Sequence, residues 1–168
     1  MDVTHENVTK WLDEYFEFCN SSQGTVDDVA DLARYFADDF EFWMFTPPPF
    51  FTPPLSRSEF LMLFVHPGLY EAIRPQHYVI DTKAMMVVVK FEFEFVDETS
   101  GRTWPPLFAS AHYQLAPGGE KELQIKRIDY WTQTTSDDRS DLFEVWIARR
   151  QNALEESAAL RWEAPPSA

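Results

Sequence analysis

The chain has 168 residues, a net charge of −14, 45% apolar residues and 16% aromatic residues. That length and apolar content can fill a hydrophobic core without staples, which excludes global disorder. The acidic surface makes nucleic acid and anionic membranes poor partners, and a lone cysteine, Cys19, excludes an intrachain disulfide framework.

Val8, Trp11, Leu12, Tyr15, Phe18 and Cys19 recur at helical spacing and predict a first helix ending near Asn20–Gly24. Thr25 with Asp28 reads as a capping box opening a second helix through Val29, Leu32 and Phe36. Phe40 to Thr46 is short and aromatic, as a strand is. Five prolines between Pro47 and Pro54 forbid a regular ladder and predict a stiff loop carrying Phe50 and Phe51. Ser56 with Glu59 predicts a third helix start, and His66-Pro67-Gly68 its end. From His77 the period becomes two. Short strand His77–Asp81, long strand Met85–Phe95, then Leu107–Leu115 and Leu123–Gln133 are separated by turns at Asp97–Gly101 and Ala116–Gly119. Two hairpins in series predict an antiparallel meander. Ser136 to Glu156 reads as a C-terminal helix with Leu142, Phe143, Trp146 and Ile147 on its apolar side.

This order predicts an α+β fold, one domain over residues 1–160 and a frayed tail over 161–168. A curved antiparallel sheet with helices covering its concave face leaves a hollow between the layers. The N-terminus lacks a signal-type apolar run and no segment reaches the length of a membrane span, so the expected location is cytoplasmic.

Three segments carry a resemblance. Tyr35-Phe36-Ala37-Asp38-Asp39-Phe40-Glu41-Phe42 resembles the signature after helix two of SnoaL-like proteins. Pro75-Gln76-His77-Tyr78 resembles the histidine that opens their next strand, and Ile128-Asp129-Tyr130-Trp131 the aromatic close of their last. The chain is thus similar to the SnoaL-like and NTF2-like superfamily of ketosteroid isomerases, polyketide cyclases and scytalone-type dehydratases. The resemblance implies a cone-shaped, cystatin-like fold, with a homodimer or higher homo-oligomer as its assembly. It places Tyr15 at an oxyanion-donor position, His77 at a dehydratase histidine and Asp129 near a cyclase aspartate. The isomerase's base would fall at Trp43 or Met44, and its second donor near Ala111; neither can do that chemistry.

The residues themselves single out Asp129 and Arg127. A period of two puts Leu123, Ile125, Arg127, Asp129 and Trp131 on one face of the last strand. That face starts apolar and ends aromatic, which would point it inward and present an ion pair to the hollow. Burial and the neighbouring guanidinium would then pull the Asp129 carboxyl in opposite directions, as in a tuned acid or base. A bulge would turn both residues outward, and a structural ion pair at the sheet rim is the competing reading. His77 and His112 can exchange protons near neutral pH, or merely bond the backbone. Tyr15 lies on the apolar stripe of the first helix, where a phenol can donate to an oxyanion or simply pack. Asp39 follows the second helix and could turn inward as an acceptor. Trp43, Phe45, Phe50, Phe51, Phe91, Phe93, Trp104 and Trp131 are the candidate walls, with Phe50 and Phe51 on a lid. His66 reads as a helix-end residue.

Four scattered histidines and five glycines give no metal or phosphate motif, so no cofactor is expected. The reading is a cofactor-independent lyase or isomerase. It would move protons on a bulky hydrophobic, aromatic or polycyclic small molecule, with elimination favoured. The alternatives are a non-catalytic binding or scaffold module and a polyketide-type cyclase.

Overall fold

The computed structural model describes residues 3–45, 52–119, 122–132 and 140–162. Helix α1 spans His5–Ser21, with Thr4 capping its N-terminus through the Asn7 N–H. It buries Val8, Trp11, Leu12, Tyr15, Phe16 and Cys19, the stripe that 3.6-residue spacing requires. Helix α2 (Val26–Leu32) starts on the Thr25–Asp28 capping box and runs through a 3₁₀ turn into strand β1, Phe36–Met44. After β2 (Leu55–Ser56), the Ser56–Glu59 box opens α3, Arg57–Leu61, which tightens into a 3₁₀ turn over Met62–Phe64. Strands β3 (Leu69–Asp81), β4 (Met86–Asp97), β5 (Arg102–Thr103), β6 (Leu107–Pro117) and β7 (Leu123–Thr132) follow, then α4, Ser140–Trp162.

The sheet order is β2-β1-β7-β6-β4-β3, with β5 attached to β4. Every pairing is antiparallel except β1 with β7. One apolar face, carrying Val87, Val89 and Phe91 of β4 and Ala109, Ala111 and Tyr113 of β6, packs on α1 and its neighbours. A second cluster of Leu69, Trp104 and Leu142, with Phe95, Val145 and Trp146 against it, seats α4.

Two departures from the sequence reading matter for the site. The meander's first strand begins at Leu69 and not at His77. It runs through Pro75 because β3 is the sheet edge, where a missing N–H costs no ladder bond, and the register shifts between Pro75 and His77. The edge is also clamped. Asn20 donates from Nδ2 to the Ile73 carbonyl at 2.8 Å and accepts the Ile73 N–H on Oδ1 at 2.6 Å, so one amide side chain stands in for a partner strand. Asn20→Ala leaves both groups unpaired and is expected to cost about 2–4 kcal/mol at roughly 1–2 kcal/mol per lost bond, read as a lower urea midpoint.

The second departure is in β7. Ile125 pairs with Leu115 but Arg127 pairs with Gln114, so Lys126 is an extra residue on the β7 side. The alternation slips by one there. Leu123, Ile125 and Ile128 are all buried on the inner side, and the odd-numbered residues beyond the bulge face out.

Helix α4 is held by a polar latch as well as by its apolar face. Trp104 Nε1 and the Arg102 guanidinium both meet the Asp141 carboxylate, Arg149 Nη2 meets Asp97 Oδ1 at 2.9 Å, and Trp146 Nε1 donates to the Leu63 carbonyl at 2.9 Å. Arg149→Ala is expected to speed amide hydrogen exchange along α4 while leaving β4 and β6 unchanged.

Candidate functional site

A cavity of about 180 Å³ lies between the inner sheet face, α1, α3 and α4. Its walls are mostly rings: Phe91, Phe93 and Phe95 at alternate positions of β4, Phe60 and Phe64 from the α3 region, and Phe143 and Trp146 from α4. An apolar hole of roughly 150 Å³ already holds a benzene ring. Among the described residues, the oxygen-bearing side chains of this lining are those of Tyr15, Glu71, Tyr113, Tyr130 and Thr132.

Glu71 is the one charged side chain among the described residues that line the cavity. The strand period of β3 puts it on the same face as buried Leu69 and Ile73. Its side chain is 19% exposed, and Oε2 lies 3.4 Å from His66 Nε2. His66 is buried, and its Nδ1 lies 2.9 Å from the Leu69 carbonyl oxygen. Both ring nitrogens thus face acceptors. A neutral imidazole has one N–H, so donating to both acceptors takes the protonated ring. Burial alone would lower the His66 pKa, but the hydrogen bond and charge of Glu71, with the Leu69 carbonyl, outweigh it and raise the pKa above the ordinary 6.5.

The His66 backbone is fixed from behind. Its N–H donates to the Gly24 carbonyl at 3.0 Å, and Gly24 has φ +68° with its missing Cβ directed at the His66 backbone, 3.0 Å from the carbonyl carbon. Only glycine meets both demands.

The three phenols divide by partner. Tyr15 shares hydrogen bonds with Cys19 and Tyr113, so its hydroxyl is occupied within the protein. Burial pushes both the Tyr15 and Tyr113 phenols well above 10, with the neighbouring Cys19 adding to each. Tyr130 packs against Phe42 and Phe93, and burial followed by the charge of Glu71 raises its pKa strongly. The phenol therefore stays protonated, and it lies in the cavity lining where it can donate to a guest.

The residues expected from sequence are dispersed. Tyr15, Phe91 and Phe93 line the cavity. Arg127 and Asp129 do not: the Lys126 bulge turns both to the outer sheet face, where Arg127 Nε meets Asp129 Oδ1 at 2.8 Å and the guanidinium lies 5.2 Å from the Trp43 ring centre. The expectation that this pair faces the hollow is therefore corrected. Trp43, Phe45, His112 and Trp131 share the outer face, with Phe45 stacked on Trp131 at 4.8 Å and His112 edge-on to the same ring. His77 is exposed beyond the β3 register shift, opposite Lys90. Asp39 is exposed and paired with Lys126, while Asp38 pairs with Arg57. Trp104 is buried in the cluster under α4 and does not line the cavity. Phe50 and Phe51, and with them the lid reading, lie outside the described residues.

Sequence reasoning missed Glu71, His66 and Tyr130. The signal for Glu71 was a carboxylate between Leu69 and Ile73 at strand spacing, hidden because Pro75 broke the run.

No family model matches the chain, and no curated protein matches it. Solved structures do. A candidate polyketide cyclase from Xanthomonas campestris pv. campestris is 16% identical, with a TM-score of 0.55 over 86% of this chain and 97% of that one. PrhC from Penicillium brasilianum is 14% identical, with a TM-score of 0.56 over 93% and 91%. An NTF2-like protein with a cystatin-like fold from Novosphingobium aromaticivorans is 13% identical, with a TM-score of 0.52 over 80% and 86%. Shared architecture at such low identity speaks to fold and not to reaction. The chain has the NTF2-like, cystatin-like fold.

Proposed function

We propose that the chain is a cofactor-independent lyase or isomerase that moves a proton on a hydrophobic, ring-bearing small molecule. Glu71 acts as general base, Tyr130 donates to the oxygen on which negative charge develops, and His66 is the positioning residue for Glu71. One observation carries this reading: among the described residues the cavity's charged group is a carboxylate held by a buried imidazole, in the same lining as a protonated phenol. Ring walls exclude water and hold the guest by its faces. The likeness to a candidate polyketide cyclase supports an enzyme without naming the step. The volume suits one or two rings.

Loss of a proton next to a carbonyl gives an enolate. The enolate can be reprotonated elsewhere, as in isomerisation, or can expel a β-leaving group, as in elimination. The test is ¹H NMR in D₂O with 2-indanone, a neutral ring ketone with acidic C–H bonds. The enzyme reading expects exchange faster than buffer, removed by Glu71→Gln. Exchange at the buffer rate across a panel of such ketones and their β-hydroxy analogues would overturn it.

A non-catalytic binding module is the second reading. The mutual hydrogen bonding of Tyr15 and Tyr113 favours it, because those phenols are spent within the fold. Micromolar binding of a panel ligand without any exchange would select it.

A further inference from the structure

The cavity also carries information about the charge of its guest. Among the described residues no lysine or arginine lines it, and its charged group is the Glu71 carboxylate. His66, a cation when protonated, cannot serve a guest. Its Nε2 is directed at Glu71 and its Nδ1 at the Leu69 carbonyl, and the side chain is 7% exposed. The ion-paired guanidinium of Arg127 is on the far side of the sheet. A net charge of −14 adds an unfavourable long-range field for any approaching anion. A carboxylate or phosphate guest would lose its hydration with no cation among the described lining residues to replace it, and would meet a like charge inside. A neutral guest loses little water and finds both halves of a hydrogen-bond pair, an acceptor in Glu71 and a donor in Tyr130.

From this we infer that the ligand is an uncharged one- or two-ring compound bearing a hydroxyl or an enolisable carbonyl, and that free acids and phosphate esters are rejected. The inference rests on the cavity being the ligand site, as the proposed function has it, but it concerns recognition and holds with or without turnover.

The test is calorimetric titration of the full chain at pH 8 with three ligands of one shape: 2-naphthylmethanol, 2-acetylnaphthalene and 2-naphthoate. The two neutral compounds are expected to bind at least tenfold more tightly than the carboxylate. Glu71→Gln removes the like charge and is expected to bring the carboxylate to within about threefold of the alcohol. If that variant unfolds, Tyr130→Phe serves instead: it should weaken the ketone severalfold and leave the order neutral over anion intact. Carboxylate binding as tight as the alcohol, or no binding of the neutral pair at millimolar concentration, would overturn the inference. Because this readout is affinity, its failure is distinguishable from a failure of proton exchange: selective binding without exchange sinks the enzyme and keeps the ligand class, and exchange with equal affinities does the reverse.

Discussion

Glu71→Gln is expected to lower proton exchange by about 10²- to 10⁴-fold, the range lost with a positioned general base. Glutamine preserves the volume and can still accept from His66 on its carbonyl oxygen, so the circular dichroism spectrum should stay unchanged. The substitution has a second readout, which reports the Glu71–His66 pair directly. The raised pKa of His66 depends on Glu71, so the imidazole should titrate lower in the variant, visible in ¹⁵N-edited NMR. The sign of the linked stability follows. A group whose pKa is raised on folding favours the native state fully below its unfolded value, near 6.5, and that contribution fades as pH climbs through the higher folded value. The native protein should therefore lose part of its stability as pH rises above about 6.5, and Glu71→Gln should flatten that slope. A variant that keeps wild-type exchange, with His66 titrating where it did before, would remove Glu71 from the mechanism. Tyr130→Phe gives the contrast. Loss of one preorganised donor should cost about 10²–10³ in rate, with His66 unmoved. In Tyr15→Phe the loss falls first on the hydrogen bonds with Cys19 and Tyr113.

Much of the architecture could be read from local chemistry. The Thr25–Asp28 and Ser56–Glu59 boxes mark two helix starts, and the alternation of Phe91, Phe93 and Phe95 marks an inner strand face that does line the hollow. These signals are short-range, so sequence spacing carries them. Long-range facts are not carried that way. Pro75 looks like a break unless β3 is known to be the edge. His66 looks like the end of a helix unless the following five residues are seen to bring Glu71 back to its Nε2. Trp43 and Trp131 look like pocket walls by composition, yet their strands present them outward to Arg127, Phe45 and His112. In each case the missing information was which face or edge a residue occupies, and that is fixed by pairing with strands distant in the chain.

One alanine inserted between Arg127 and Ile128 is expected to have the largest effect of any single change. The side-chain period of a strand is two, so with the upstream register kept the insertion sends every later side chain of β7 to the opposite face. Ile128 and Tyr130 would leave the core, and Asp129 and Trp131 would enter it. Burying the carboxylate away from its partner costs several kcal/mol, and loss of the Ile128 side chain from the core adds about 2–5 kcal/mol. Against a total stability of about 5–15 kcal/mol, the insertion chain should fail to fold cooperatively. Deletion of Lys126 is the contrast. It makes Ile125–Leu115 and Arg127–Gln114 consecutive pairs, so the ladder closes without the bulge and Ile128 and Tyr130 stay inside. It loses an exposed ion pair with Asp39, worth at most about 1 kcal/mol, and should fold with the native aromatic signal. Thermal unfolding followed by near-ultraviolet circular dichroism reads both. An insertion chain that melts with the wild-type midpoint and native aromatic signal, or a deletion chain that loses that signal, would mean that Lys126 is not the extra residue that turns Arg127 and Asp129 outward. The face of β7 that meets the cavity, and with it the choice of Glu71 over Asp129 as base, would then have to be assigned anew.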